Sequence, residues 1–223
     1  MTGPTVARES RELVVHRDLL VALGAAARGE TPAGSIDELV ARDLVTPDGR
    51  PTDAAADTAA AVGSPRGTVR VTAAGPGGTG AADLWVGATR AVLHPAGDRP
   101  APVVSVSRSL LPQLVVRATG LGPRPLAGGP AFSADAALVA AACAGTATPP
   151  WAGAEAVQRP RLWRVTWRAG EARGDIGFLD LGPLGLWRPA PAQGPALTWS
   201  PVPAATAWRE LGRLFAATLE DRP

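Results

Sequence analysis

The sequence predicts an α+β fold, in which helices cover a central antiparallel sheet. The first observation is a change of period: apolar residues recur every three or four positions over the first ~65 residues and every second position from residue 68 onward. The second is a repeat, because Arg-Val-Thr occurs at 70–72 and at 164–166, a spacing of 94 residues. The same spacing carries Pro95-Ala96 onto Pro189-Ala190. These matches predict an internal duplication, with copies at about 68–121 and 162–217, and hence a pseudo-two-fold axis between the two halves.

The N-terminal region is predicted to be helical. A stripe with spacings of three and four predicts the first helix and places a histidine among packed residues: Leu13, His16, Leu20, Leu23 and Ala27. Gly29 can end this helix. Ser35 and Glu38 form a capping-box pattern, which predicts a short helix to about Asp43. Thr52, after the turn "TPDGRPTD", is the predicted N-cap of a third helix.

The remaining elements follow the same order in both halves. The first half contains the strand patterns "TVRVTA", "ADLWVGATRAVL" and "APVVSVSR", and then the helix "LLPQLVVRATG" with Pro112 in its first turn. After the helix "SADAALVAAACAG" come the strands "RLWRVTWRAG", "GDIGFLDLG", "LGLWRP" and "ALTWSP". The closing helix is predicted to bury the stripe Trp208, Leu211, Phe215 and Leu219. The prediction is therefore one domain, 1–223, with halves 1–125 and 126–223.

Composition narrows the class of protein. A chain of 223 residues with 46% apolar residues can bury a core. All 22 basic residues are arginines, but the net charge is only +2 and the arginines are scattered, so nucleic acid is not a predicted partner. Cys143 lies in an alanine-rich run and is predicted to be a small buried residue. There is no signal-peptide pattern and no apolar run of ~18 residues, so a cytoplasmic protein without membrane insertion is expected.

Three stretches of the chain resemble the EspG proteins of actinobacterial type VII (ESX) secretion. "DELVARDLVTPDGRPTDAAADTAAAVGSPRGTVRV" is similar to the family's short helix, turn and first strand. "ATRAVLHPAGDRPAPVVSVSRSLLPQLVVRATGLGPRP" is similar to its strand pair and helix. "GDIGFLDLGPLGLWRP" with "ALTWSPVPAATAWRELGRLF" is similar to its closing hairpin, strand and helix. The resemblance covers most of residues 35–217, and this chain is shorter than the mycobacterial members.

The resemblance implies a cytosolic chaperone that is not an enzyme and needs no cofactor. EspG proteins hold helical secretion substrates, typically PE–PPE pairs, by the exposed tip of the helical hairpin. They keep these substrates soluble and direct them to their own ESX machine. The expected partner is therefore a helical-hairpin substrate, either PE–PPE-like or of the W-x-G type. The resemblance assigns no individual binding residue.

Enzyme chemistry has weak support in the sequence. "GPGGTG" at 75–80 satisfies a dinucleotide-binding pattern, but strand formers follow it, so no helix N-terminus is expected to hold a pyrophosphate. His16 and His94 lie far apart and the single Cys has no ligand spacing around it, so no metal site is predicted. Asp175 and Asp180 lie five apart on one strand pattern, and alternation places them on opposite faces. No catalytic residue is predicted.

A winged-helix DNA-binding regulator is the main alternative. "IDELVARDLVTPDGRPTDAAADTAAAV" has the order of a helix, a wing and a dimerisation helix. A helix that contacts DNA should carry several basic residues for the phosphates. This one offers Arg42 beside Asp37, Glu38 and Asp43. The regulator stays an alternative, with a nucleotide-binding enzyme as a minor one.

Alternation in "RLWRVTWR" predicts where a partner would dock. One face carries Trp163, Val165 and Trp167 and is predicted to be core, because two indoles in water would expose a large apolar patch. The related strand places Val69 and Val71 on its inner face. The opposite, solvated face carries the predicted partner-binding residues: Arg70, Thr72, Arg164, Thr166 and Arg168. The simpler interpretation, that these arginines only keep the sheet soluble, stays open.

Overall fold

The computed structural model describes residues 13–30, 35–126, 128–191 and 196–219. This part of the chain contains six α-helices, which are α1 Arg17–Ala27, α2 Ile36–Ala41, α3 Ala56–Gly63, α4 Leu111–Thr119, α5 Ala136–Cys143 and α6 Ala204–Leu219. It also contains eleven strands, which are β1 Val14–Val15, β2 Gly67–Gly75, β3 Gly78–Val86, β4 Arg90–Ala96, β5 Ala101–Pro102, β6 Val104–Ser107, β7 Phe132–Ala134, β8 Arg161–Ala169, β9 Ala172–Asp180, β10 Leu186–Pro191 and β11 Leu197–Val202.

Nine of the strands form one sheet in the order β6-β4-β3-β2-β8-β9-β10-β11-β7. Every neighbouring pair in this sheet is antiparallel. β1 and β5 pair separately. Strands of the first half fill one side of the sheet and strands of the second half fill the other, and they meet at the β2–β8 pair. The predicted α+β class with a central antiparallel sheet is confirmed.

One face of the sheet is covered by α4 and α6. The alternating apolar side chains of the four central strands pack there, with Val71, Val165 and Phe178 among the buried residues. Trp163 is fully buried, and its ring centroid lies 5.1 Å from that of Phe178. Trp167 is partly buried against the same cluster. The predicted core face of β8 is therefore confirmed.

The other face is covered only towards its two ends. Helices α1, α2 and α3 form one cluster with Trp85 and Val92 of β3 and β4. Helix α5 forms a second cluster with Leu179, Trp187 and Trp199 of β9, β10 and β11. Between the two clusters, the polar side chains of β2 and β8 stay open to solvent.

Two expectations about aromatic side chains are wrong. His16 is exposed because α1 begins after it, and His94 is the fully buried histidine. Trp208 is 43% exposed because the buried stripe of α6 starts one residue earlier. That stripe is Ala207, Leu211, Leu214 and Thr218. The small side chain at its first position gives a weak hydrophobic signal, so the sequence pattern favoured the neighbouring tryptophan.

The predicted side-chain caps of two helices are also wrong. Ser35 precedes α2, but its side chain makes no cap hydrogen bond, and the helix ends at Ala41. The Thr52 hydroxyl donates to the carbonyl of Asp43 at 2.9 Å instead of capping α3, which begins four residues later at Ala56. The threonine hydroxyl therefore closes the turn between α2 and α3.

The strand registers follow the 94-residue spacing of the sequence repeat. Val69 pairs with Leu84 on β2–β3, and the same shift carries this pair onto Trp163 and Phe178, which pair on β8–β9. The shift also carries Val71 onto Val165, and these two residues pair with each other. The geometry of a pseudo-two-fold is thus present at the centre of the sheet. The duplication that would explain it stays a prediction.

Candidate partner-binding face

The open part of the sheet between the two outer clusters is formed by alternate residues of β2 and β8, and we call it the central face. Its residues pair across the strands as Thr68 with Arg168, Arg70 with Thr166, and Thr72 with Arg164. Alternation turns these side chains away from the core. The structure therefore brings together all five residues predicted to contact a partner. The arginines and Thr68 are exposed, and Thr72 and Thr166 are half-buried among them.

Arg164 is held by a carboxylate on the neighbouring strand. Its Nε donates to Oδ1 of Asp175 at 2.7 Å, and its Nη2 donates to Oδ2 of the same side chain. The hydrogen bond from Arg164 lowers the pKa of Asp175, and the hydrogen bond to Asp175 raises the pKa of Arg164. The charge of Arg164 is therefore balanced within the protein.

Arg70 shares a second carboxylate with Arg17 of α1. Asp83 lies opposite Arg70 in the β2–β3 register and is nearly buried. Nε of Arg17 donates to Oδ2 of Asp83 at 2.9 Å, and Nη1 of Arg70 lies 3.4 Å from Oδ1. The guanidinium of Arg17 also lies 5.8 Å from the centre of the Trp85 ring, within cation–π range. These residues and Arg168 line a hollow of about 440 Å³.

Arg168 lies directly opposite Arg173 of β9. Both arginines are exposed, and no carboxylate in the described ranges forms an ion pair with either of them. The strands of this region thus carry the four arginines 70, 164, 168 and 173 and the two aspartates 83 and 175, and helix α1 adds Arg17. Five arginines that lie far apart in the sequence are therefore gathered into one positively charged surface.

Sequence reasoning missed the partners of the predicted arginines. A usable signal was present, because Gly170-Glu171 is a two-residue hairpin connection that fixes the β8–β9 register. Counting outwards from that turn places Arg168 opposite Arg173 and Thr166 opposite Asp175. No such signal predicts the contact between Arg17 and Asp83, since that contact depends on how α1 packs on the sheet.

A wider groove lies beside the central face, where β9 and β10 separate. β3 and β4 pair over six positions, but β9 and β10 pair only at Leu186 and Trp187. Proline has no amide hydrogen, so Pro189 and Pro191 cannot donate to β9, and the β9–β10 ladder ends before them. The groove has a volume of about 820 Å³ and is lined mainly by small and apolar side chains, among them Ala74, Ala140, Leu162 and Trp199.

The residues considered for enzyme chemistry occupy structural positions. "GPGGTG" forms the β2–β3 hairpin connection, with Gly75 paired to Gly78, and β3 follows it instead of a helix. Nε2 of His94 lies 2.9 Å from the carbonyl oxygen of Val15. Burial raises the pKa of the Cys143 thiol to about 11, so it is protonated at neutral pH. Among the described residues, no group of three or more His, Cys, Asp or Glu is arranged to hold a metal.

The segment considered as a DNA-binding wing is a tight turn. Val45 bridges to Pro51, and the amide of Thr46 donates to the carbonyl of Arg50 at 2.7 Å. The preceding helix, α2, has six residues, and its Glu38 pairs with Arg42. None of the helices in the described ranges is long and apolar enough to cross a membrane.

Known proteins are similar to this chain in their fold but not in their sequence. No family model matches the chain, and no curated protein is significantly similar in sequence. Among solved structures, the chain is similar to the Mycobacterium tuberculosis type VII secretion system chaperone EspG5, determined in complex with the PE25–PPE41 dimer. The TM-score is 0.51 at 11% identity, over 93% of this chain and 97% of EspG5. The chain has the fold of EspG5.

The match with EspG5 is long enough to include both halves of this chain. The fold implied by the resemblance of the three quoted stretches is therefore confirmed, although only 11% of the matched residues are identical. What EspG5 and this chain share is the arrangement of strands and helices that forms the sheet. The side chains of the central face are a property of this chain's own sequence.

Proposed function

We propose that this protein is a non-enzymatic chaperone of type VII secretion that binds the tip of a helical-hairpin substrate and keeps it soluble for export. The observation that carries the proposal is the EspG5 fold, which extends over 93% of the chain. In the solved structure to which this chain is similar over most of its length, EspG5 is in complex with a PE25–PPE41 dimer, so a secretion substrate is the partner proposed here. A substrate that awaits export is in the cytoplasm, and this is where the chaperone would act.

The central face is the docking surface in this proposal. Two adjacent strands present a band of threonine hydroxyls and arginine guanidiniums, and the helical clusters over β3 and β4 and over β9 to β11 rise on either side of it. The last carbonyls of a helix lack partners within that helix, and its C-terminal end carries partial negative charge. Arginine and threonine donors suit both features. Arg70, Thr72, Arg164, Thr166 and Arg168 are therefore the proposed contact residues.

Co-purification tests this function directly. The chain would be coexpressed, with an affinity tag, beside each helical-hairpin protein that its neighbouring genes encode. We expect one of these proteins to be captured as a stable complex and to become more soluble when the chain is present. Recovery of the chain alone with every candidate hairpin would contradict the proposal.

Charge reversal then tests the docking surface. Arg164→Glu with Arg168→Glu should keep the free energy of unfolding within about 1 kcal/mol, because both side chains are exposed. Capture of the hairpin should be lost. The matched control is Arg209→Glu with Arg213→Glu, which changes the net charge equally on the exposed side of α6. Undiminished capture by the folded 164/168 variant would exclude the central face as the docking surface.

A further inference from the structure

We infer that the central face, together with Arg173 beside it on β9, takes an acidic segment of the partner protein, and that Arg168 and Arg173 are the principal contacts of this segment. The inference rests on the proposed function for the kind of partner, a secretion substrate. It adds the chemistry of recognition, which is the binding of carboxylates. It also moves the centre of the contact from Arg164 to the Arg168–Arg173 pair, next to the turn that joins β8 and β9.

The first argument is the position of the two arginines. Residues directly opposite each other on antiparallel strands have Cα atoms about 4.5–5.5 Å apart. Arg168 and Arg173 occupy such a pair and point to the same face. Like charges in this arrangement destabilise a sheet. A carboxylate between the two guanidiniums would remove the repulsion and accept hydrogen bonds from both.

The second argument is that no described side chain of the protein supplies that carboxylate. Asp175 is bound by Arg164, and Asp83 is bound by Arg17 and Arg70. Glu171 lies in the turn between β8 and β9, and no ion pair joins it to Arg168 or Arg173 within the described residues. The charge of these two arginines is therefore left for a partner to balance.

The third argument is that Arg70 and Arg17 lie close enough to Arg168 to bind a second carboxylate of the same segment. Asp83 holds Arg70 two residues along β2 from Thr68, which is the cross-strand neighbour of Arg168. A residue at this diagonal position is roughly 7–8 Å away, within reach of a long side chain. Arg17, Arg70 and Arg168 line the same hollow. A segment with two carboxylates can therefore contact Arg168 and Arg173 with one and Arg70 with the other.

A protein segment suits this surface better than nucleic acid does. Duplex DNA carries one negative charge per about 1.7 Å of helix axis, and single strands are also densely charged. Asp83 and Asp175 lie among the arginines and would repel closely spaced phosphates. A peptide can instead place one carboxylate at Arg168 and Arg173, which are unpaired, and a second at Arg70, because Arg17 also neutralises the Asp83 that Arg70 contacts.

Peptide binding by the full chain tests the inference without knowledge of the natural partner. The probes are fluorescein-labelled hexaglutamate, hexaglutamine and a thymidine heptanucleotide with six phosphates, followed by fluorescence anisotropy at low salt. We expect hexaglutamate to bind at least tenfold more tightly than hexaglutamine and more tightly than the oligonucleotide. Its affinity should fall steeply as salt is raised. Arg168→Glu with Arg173→Glu should reduce hexaglutamate binding at least tenfold, and the 209/213 control should stay within about twofold.

Three results would overturn the inference. They are equal binding of the two peptides, tighter binding of the oligonucleotide, and an equal loss in the two double variants. The circular dichroism spectrum and the thermal unfolding midpoint establish that each variant is folded. These outcomes are separate from the proposed function, which depends on capture of a hairpin protein. If wild type and the 168/173 variant capture a hairpin protein equally well, the proposed chaperone function is supported and the inference of an acidic segment is contradicted.

Discussion

Val71 of β2 and Val165 of β8 are direct partners across the centre of the sheet, and a shift of 94 residues carries the first onto the second. Each valine therefore faces its own counterpart. Both are buried, with 3% and 0% of their surface exposed. A local two-fold axis passes between them, and the strands on either side have matching registers. Equivalent positions in the two halves should therefore respond similarly to substitution.

The first prediction concerns this valine pair. Val71→Ala and Val165→Ala should each lower the free energy of unfolding by about 2 kcal/mol, because each removes two buried carbons. The double variant should depart from additivity by roughly 0.5 kcal/mol or more, since the side chains are in contact. Urea denaturation measures all three. Val71→Ala combined with Val45→Ala, in the cluster under α1 to α3, is the additive control. Additive behaviour of the 71/165 pair would contradict the contact.

The second prediction uses two glycines of β9. A Cβ at Gly174 would lie 2.3 Å from Nε1 of Trp167 and 2.5 Å from its Cε2. Gly174→Ala should therefore displace the indole and lower the free energy of unfolding by about 1–3 kcal/mol. At Gly177 the nearest atom is 3.6 Å away, so Gly177→Ala should cost far less. Thermal unfolding and tryptophan fluorescence measure both variants. Equal effects of the two substitutions would show that the indole is not held against Gly174.

The third prediction concerns the pair formed by Arg124 and Asp180. Nη2 of Arg124 lies 2.7 Å from Oδ2 of Asp180, and the side chain of Asp180 is only 4% exposed. Asp180 also accepts from the amide of Gly182 at 2.9 Å. Asp180→Ala should cost about 3 kcal/mol, because it leaves a partly buried guanidinium and the amide of Gly182 without their partner.

Simultaneous replacement of both members is the control for that pair. Arg124→Met with Asp180→Leu leaves no buried charge behind and should be less destabilised than Asp180→Ala alone. Urea denaturation at pH 7 compares the two variants. A double variant that is less stable than the single one would mean that packing around the two stems matters more than charge balance.

The fourth prediction is a pH dependence from Asp175. Arg164 lowers the pKa of the Asp175 carboxyl in the folded protein. The pair therefore stabilises the fold above the unfolded-state pKa of about 3.9, and the contribution disappears as pH falls through the lower folded-state pKa. Both side chains are about half exposed, so the effect should be at most about 1 kcal/mol. The stability difference between wild type and Asp175→Asn at pH 7 should vanish near pH 2. A difference that persists there would need another cause.

Alternation and hairpin spacing made the sheet predictable from the sequence. The buried face of β8 follows from Trp163 and Val165, and the solvated face follows from the arginines between them. Those patterns depend only on the two-residue period of a strand. The order of elements in the two halves was predicted for the same reason. The order of strands in the sheet was harder to predict, because some paired strands, such as β2 and β8, lie far apart in the chain.

Features that depend on long-range packing were not predictable. His94 is buried because the segment before α1 crosses it, and Arg17 reaches Asp83 because α1 lies against β3. Neither contact leaves a periodic signal in the sequence. Trp208 was misplaced because an alanine, with little hydrophobic signal, begins the buried stripe of α6. The candidate site was thus located on the correct strands, while its charge balance required the structure.

The central β2–β8 pair also has a consequence for the order of folding. Each of the hairpins β2–β3 and β8–β9 is closed by a two-residue turn and can form within microseconds. The pair that joins them closes a loop of 94 residues between Val71 and Val165, at a much greater entropic cost. The hairpins should therefore form early and meet late. The meeting of the two halves would limit the folding rate, as is typical of sheets rich in long-range contacts.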